Sequence, residues 1–181
     1  MQRNFSKKNL LIAQYRAIRK ERNSGVDESS FFETIPVLRH VGSIQFDYSL
    51  ISSLSGRTRL LNTFVRSPEK SSDGYMIIQD LFLDMGKIDL TWRYSLFAAD
   101  DYESRLYAYE RDVWLSYSFP SWYGYGSRMY LLAEFSLTEK LSAWIKWSSV
   151  HYTDSTPSEN GLDESSGRYR ADLRLQFKWS L

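Results

Sequence analysis

Few side chains in this 181-residue chain could carry chemistry. The chain has two histidines, His40 and His151, and no cysteine. The lack of cysteine excludes thiolate metal sites, disulfides and cysteine nucleophiles. A serine hydrolase needs a histidine beside a serine and a carboxylate. His151 lies near Asp154 and several serines, but no nucleophile motif surrounds it. We therefore expect a histidine at the rim of a strand and no enzymatic activity.

Two acidic clusters could bind calcium through carboxylate oxygens. They comprise Asp100, Asp101 and Glu103, and Asp154, Glu159, Asp163 and Glu164. Neither has EF-hand spacing, so solvated loop charges are the favoured interpretation. Gly124-Tyr-Gly126 lacks the third glycine of a nucleotide-binding loop and is interpreted as a turn. The sequence thus predicts no metal and no cofactor.

A row of charges near the C-terminus is the remaining candidate site. It consists of Arg168, Arg170, Asp172, Arg174 and Lys178. Alternate residues share one face of a β-strand, so these charges are expected to lie side by side. The first interpretation is a barrel lumen filled with counter-charged side chains, in which Asp47, Asp89 and Asp172 are partners for the cations. The second is a selectivity stripe for anions.

The element that positions this row has strict period two. Between the charges stand Tyr169, Ala171, Leu173, Leu175, Phe177, Trp179 and Leu181. A helix with this sequence would have no clean apolar face, whereas a strand has one apolar and one charged face. We predict that the charged row faces a lumen. The predicted lipid-facing residues are Tyr169, Leu173, Leu175, Phe177, Trp179 and Leu181.

The same alternation recurs along the chain. It is clean at 44–50 and 88–96, less clean at 113–119, 129–135 and 141–147, and weak at 10–20, 57–66 and 75–85. With 169–181 this gives about nine strands, joined by polar segments and by a tight turn at Thr138 to Lys140. The fold class predicted is an all-β antiparallel transmembrane barrel of the outer-membrane type, or the C-terminal part of one, with about 8–10 strands. Residues 1–181 are expected to form a single barrel segment.

Composition agrees with a barrel. Aromatic residues make up 16% of the chain, as aromatic girdles require, and the mean hydropathy of −0.44 is compatible with strands that show lipid only every second residue. No apolar run is long enough for a transmembrane helix. A net charge of +1 argues against a general attraction to nucleic acid. A soluble β-sandwich binding module is the alternative fold for such strands.

Loop lengths suggest the orientation but conflict at one point. The segment 153–166 suits an external loop and 138–140 a periplasmic turn, because outer-membrane barrels have short periplasmic turns. Counting strands back from the C-terminus then places the short segments 51–56 and 86–87 on the external side of the membrane. One strand between 98 and 127 is therefore miscounted, or the rule fails there. The odd count and the lack of a signal peptide also predict part of a larger barrel, which would not close as a stable monomer.

A resemblance to a known family rests on four segments. They are Gly74-Tyr-Met-Ile-Ile-Gln-Asp80, Ser104-Arg-Leu-Tyr-Ala-Tyr-Glu110, Gly126-Ser-Arg-Met-Tyr130 and Gly161-Leu-Asp-Glu164. Together they resemble the C-terminal barrel of a Bacteroidota family of outer-membrane proteins that often carry helix-hairpin-helix repeats before the barrel. The chain has no such hairpin, so no contact with nucleic acid is expected from it. The resemblance implies that upstream barrel strands of the same protein are possible partners.

The last eight residues, Arg174 to Leu181, resemble the signal by which the outer-membrane assembly machinery recognises barrels. That signal usually ends in Phe, whereas this chain ends in Leu181 with its aromatic residue at Trp179. The function expected is that of an integral protein of the bacterial outer membrane with a structural, scaffold or transport-related role. A small complete pore or adhesion barrel is the first alternative. A membrane-embedded hydrolase and a soluble β-sandwich are the others.

Overall fold

One eight-stranded antiparallel sheet organises the chain. The computed structural model describes residues 9–23, 34–153 and 169–180. The strands are β1 (Leu10–Asn23), β2 (Thr34–Ser49), β3 (Leu54–Arg66), β4 (Ser71–Asp84), β5 (Ile88–Ala99), β6 (Leu106–Tyr107), β7 (Ser121–Trp122), β8 (Gly124–Ser136), β9 (Leu141–Tyr152) and β10 (Tyr169–Trp179). The sheet order is β1-β2-β3-β4-β5-β8-β9-β10, and β6 pairs only with β7. The predicted all-β antiparallel class is confirmed.

The described sheet is open. β1 pairs with β2 alone and β10 with β9 alone, so each of these strands has one unpaired edge. None of the described residues forms a helix long and apolar enough to cross a membrane.

The two faces of the sheet differ because the strands alternate. Residues 100–123, which connect β5 to β8 and which we call the inner segment, pack against one face. We call this the inner face and the opposite one the outer face. Met76, Ile78, Phe97 and Val150 of the inner face form a buried cluster with Leu106, Ala108 and Trp122 of the inner segment. The core of the protein therefore lies between the sheet and this connection.

The predicted strand at 113–119 is wrong. Leu115 has a φ of 58°, a left-handed conformation that interrupts an extended chain. The Ser116 N–H donates to the carbonyl oxygen of Val113 at 3.0 Å, which closes a turn. Apolar residues alternate here because they line an irregular hairpin. The main sheet thus has eight strands, and the count of nine is corrected.

This correction removes the conflict in loop lengths. The connections 50–53, 85–87 and 137–140 now lie at one end of the sheet, the turn end, and all are three or four residues long. At the other end, the loop end, the strands β1, β3, β5 and β9 finish and β2, β4, β8 and β10 begin. Three of the four intervals between these strands are ten residues or longer. The predicted turn at 138–140 is confirmed: the Thr138 N–H donates to the Leu141 carbonyl at 3.1 Å.

In each hairpin at the turn end, the polar side chains of one directly opposed pair on the inner face bond to each other. Asp47 lies opposite Arg57, Asp80 opposite Arg93, and Glu134 opposite Trp144. The first two are ion pairs, and the Trp144 Nε1–H donates to Glu134 at 3.1 Å. Opposed cross-strand pairs of this kind stabilise one register over its alternatives.

Candidate functional site

The most buried charge of the sheet is Asp80, in the middle of the inner face. Its side chain is 0% exposed. Arg93 donates two hydrogen bonds to it, from Nε at 2.5 Å and from Nη2 at 3.0 Å, and Arg59 Nη2 lies at 3.3 Å. A buried carboxylate is stable only with such partners. Two guanidinium groups therefore share one carboxylate.

Arg93 also connects the sheet to the inner segment. Its Nη1 donates to the carbonyl oxygen of Tyr109 at 2.6 Å, and its guanidinium lies over the ring of Tyr130 at 5.1 Å. Tyr130 is itself fully buried, and its hydroxyl accepts a hydrogen bond from the backbone N–H of Arg111 at 3.3 Å. Arg93 thus binds both Asp80 and the backbone of the inner segment.

Carboxylates of the inner segment neutralise the remaining buried cations. Glu110, 1% exposed, accepts two hydrogen bonds from Arg128, at 3.1 and 3.0 Å, and has Lys146 Nζ at 3.7 Å. Lys146 Nζ lies 3.3 Å from Asp112 and donates to the Arg111 carbonyl at 2.7 Å. We call Asp80, Arg93, Glu110, Asp112, Arg128 and Lys146 the charged network. Its charges join five elements across the inner face.

The structure places the predicted charged row on the inner face of β10. Arg174 Nη1 lies 2.7 Å from Asp112 and its Nε 3.0 Å from Asp172, and Lys178 Nζ lies over the ring of Trp114 at 4.4 Å. Arg170 is exposed on the same face. Arg168 lies outside the described residues. Asp172 is thus a partner of this row, whereas Asp47 binds Arg57 instead and Asp89 forms no ion pair with another described residue.

The predicted lipid-facing residues lie on the outer face of the same strand. Tyr169, Leu173, Leu175, Phe177 and Trp179 are all exposed there. Leu181 lies outside the described residues. Whether these side chains contact lipid stays a prediction.

Among the described residues, the two histidines are not hydrogen-bonded to both a serine and a carboxylate, as a catalytic triad would require. The Tyr15 hydroxyl hydrogen-bonds to Nδ1 of His40 at 2.5 Å, on the outer face. His151 is exposed near the loop end of β9, opposite Ser127 and Tyr169. No group of three potential metal ligands occurs within the described ranges. The second acidic cluster, from Asp154 to Glu164, lies outside them.

The first acidic cluster is bound by its own neighbours at the loop end. Lys70 Nζ lies 2.5 Å from Asp101, and this hydrogen bond raises the pKa of Lys70. Partial burial favours a higher pKa for Asp101, but hydrogen bonds from Lys70, Ser104 and Ser72 outweigh it and leave the pKa lowered. Asp101 also accepts from the backbone of Glu103 at 2.9 Å and of Ser104 at 3.1 Å. These contacts stabilise the start of the inner segment.

Sequence reasoning missed most of the charged network. Asp80 and Arg93 flank the turn at 85–87, so counting outward from that turn would have placed them opposite each other. Glu110 and Asp112 gave no such signal, because their partners on β8, β9 and β10 are remote in sequence. The network holds the inner segment in place, and its charged side chains are engaged with one another.

We expect Glu110→Gln to lower the free energy of unfolding by about 2 kcal/mol, because it removes the charge that accepts two hydrogen bonds from Arg128 and attracts the buried Lys146. Unfolding in urea and the rate of proteolysis within 100–123 measure the effect. Glu103→Gln is the matched control: its ion pair with Arg22 is about half exposed and should contribute under about 1 kcal/mol. Equal losses in the two variants would contradict the role given to Glu110.

Comparison with protein-family models, with characterised proteins and with solved structures found no match for this chain.

Proposed function

We propose that this chain spans a bacterial outer membrane as part of a β-barrel whose lumen is occupied by the inner segment. Its role in this proposal is structural: it is a membrane-embedded scaffold and conducts little or no solute. The observation that carries the proposal is the contrast between the two faces of one sheet. The outer face is largely apolar and uncovered, with its charged residues Arg19, Glu21, Arg66 and Asp73 near the loop end, and the inner face holds the charged network.

The outer face has the composition that lipid requires. Ile77, Leu96, Leu131, Ile145 and Leu175 lie on it in five adjacent strands, and each is 40–59% exposed. A soluble monomer rarely leaves so extended an apolar surface open. The outer-face polar side chain of Gln79 is satisfied within the face: it accepts from Thr58 at 2.7 Å and donates to Tyr48 at 2.9 Å. Within hydrocarbon a polar side chain needs hydrogen-bond partners inside the protein, because no water is there to supply them.

The lengths and stagger of the strands fit a barrel wall. The eight main strands have 11–16 residues, enough to cross a bilayer at a tilt. Directly opposed residues lead from Ile12 through Gln45, Arg59, Ile78, Ser95, Arg128 and Val150 to Arg170. This path starts at the turn end of β1 and finishes at the loop end of β10. Ile12 lies two residues and Arg170 nine residues from the turn end of its own strand, a climb of seven residues over seven pairings. With about 3.4 Å per residue and about 4.8 Å per pairing, the tilt is about 35°, within the range of barrels.

The distribution of connections supports an orientation. Outer-membrane barrels have short turns on the periplasmic side and longer loops outside. We therefore assign the turn end to the periplasm and the loop end to the exterior. β10 then runs toward the periplasm, and its alternating residues are proposed to be read by the assembly machinery.

Reconstitution into lipid vesicles tests this proposal. We expect the strands of the vesicle-bound chain to be protected from protease, without the heat-modifiable migration of a closed barrel, because β1 and β10 each have an unpaired edge. In planar bilayers the conductance should be near zero, because the charged network fixes the inner segment across the lumen face. An open pore, the first alternative, would instead conduct steadily. A monodisperse protein without detergent would favour the soluble β-sandwich and overturn the membrane assignment.

A further inference from the structure

The inner segment presents a second, uncovered surface. Leu106, Ala108 and Glu110 point into the core, and the aromatic residues that alternate with them point away from the sheet. Tyr107 stacks on Phe119 at 5.9 Å, Tyr109 lies against Tyr117 at 5.4 Å, and Tyr117 stacks on Phe119 at 6.4 Å. These four rings, the aromatic ladder, are 39–77% exposed. The segment is thus a layer with two faces, of which the sheet covers one.

Eight strands alone would leave too little room for this layer. At a tilt of about 35°, eight strands spaced about 4.8 Å apart close into a barrel about 15 Å across between backbones. Packed layers of chain lie about 10 Å apart, so a wall, a middle layer and an opposite wall need about 20 Å. Ten strands give a diameter of about 19 Å, close to this requirement, and more strands exceed it. Closure of β1 onto β10 would drive the far wall into the aromatic ladder.

The charges at the two edges also oppose their direct pairing. The inner face of β1 carries Arg16, Lys20 and Arg22, and that of β10 carries Arg170, Arg174 and Lys178 against one Asp172. Arg22 is paired with Glu69 and Glu103, and Arg174 with Asp112. Arg16, Lys20 and Arg170 form no ion pair with any described residue. Like charges on neighbouring strands are destabilising. The cations therefore disfavour pairing of β1 with β10 of the same chain, and they disfavour pairing of either edge with a second copy of the sheet.

We infer that at least two further antiparallel strands, with acidic residues on their inner face, pair with β1 and β10 and complete the barrel over the aromatic ladder. This inference rests on the proposed barrel. It makes the sheet a docking surface at both edges for strands with apolar outer and acidic inner residues. It also accounts together for the two free edges of the described sheet, the cations that have no ion pair among the described residues, and the uncovered rings.

Capture of strand peptides at the two edges tests the inference. The chain lacks cysteine, so Ala17→Cys on β1 and Leu175→Cys on β10 each introduce a single outer-face thiol at an edge. Each variant is folded in uncharged micelles and mixed with two 11-residue peptides that alternate leucine with glutamate or leucine with lysine, each with a central outward cysteine. We expect disulfide capture of the glutamate peptide to exceed that of the lysine peptide at least tenfold at both edges. Arg16→Glu combined with Lys20→Glu should reverse the preference at β1 and leave it unchanged at β10.

The double variant Ala17→Cys/Leu175→Cys tests the competing occupants. We expect neither an internal disulfide nor a disulfide-linked dimer. An internal disulfide would show closure of β1 on β10, and a dimer would show pairing with a second copy. Either result overturns the inference, as does equal capture, or no capture, of the two peptides. Failure of the chain to enter vesicles would instead contradict the proposed function. It would not affect this test, because disulfide capture is measured in micelles.

Discussion

Asp80→Asn is expected to lower the free energy of unfolding by about 3–5 kcal/mol, the usual cost of removing one partner from a buried ion pair. The variant keeps the size of the side chain but removes the charge that Arg93 and Arg59 share. Arg93 has no route to water, because its side chain is 4% exposed between β4, β8 and the inner segment. The loss should appear in urea-induced unfolding in micelles as a lower midpoint.

Asp73→Asn is the matched control for this experiment. Asp73 lies near the loop end of the same strand, on its outer face, and pairs with Arg66 at 3.4 Å, but both side chains are substantially exposed. Ion pairs of this kind contribute about 0–1 kcal/mol. If the two asparagine variants lose similar stability, the burial of Asp80 does not have the importance that we assign to it.

The second large effect is expected from Leu175→Arg, which should prevent or strongly weaken folding into lipid vesicles. Leu175 is exposed on the outer face in the middle of β10. An arginine at the centre of the lipid-facing band costs about 2–4 kcal/mol. In uncharged micelles, where the head of the side chain can reach water, the same variant should be affected much less.

Gln176→Arg provides the control from the adjacent position. Gln176 lies on the inner face beside Arg174 and Lys178, so an added cation there points away from lipid and is expected to reduce folding into vesicles much less than Leu175→Arg does. The fraction of vesicle-bound protein that is protected from protease compares the two variants. Equal folding of both would show that the outer face does not meet lipid.

The strands were predictable because alternation of apolar and polar residues identifies the two faces of a strand. In 169–179, 88–96 and 44–50 every second residue is apolar, and all three ranges lie within strands of the sheet except Leu50, which follows β2. The same signal misled at 113–119, where Tyr117 and Phe119 alternate because they stack on Tyr109 and Tyr107 of the same segment. Period two marks a chain with two different sides, and an irregular hairpin over a sheet also has two sides.

The charged network was less accessible from the sequence. Opposite charges near a short turn can be matched by counting, as for Asp47 with Arg57. The contacts of Glu110 depend on how residues 100–123 cross the sheet, and no local pattern specifies that path. The charged row of β10 was identified from its spacing, but its partner Asp112 belongs to this same path.

The three polar pairs beside the short turns have a consequence for how the protein folds. Each pair closes a hairpin whose loop has only three or four residues, so little chain entropy is lost before the pair can form. A two-residue slip keeps every side chain on its face but ends the direct opposition of these partners. In β4–β5 the slip would place Asp80 opposite Thr91 or Ser95, so its ion pair with Arg93 favours the native register there. The hairpins β2–β3, β4–β5 and β8–β9 can therefore each form before the long connections are ordered. Assembly of the sheet then becomes the joining of three prealigned ribbons, and the slow step falls to the inner segment, whose contacts span the greatest distances along the chain.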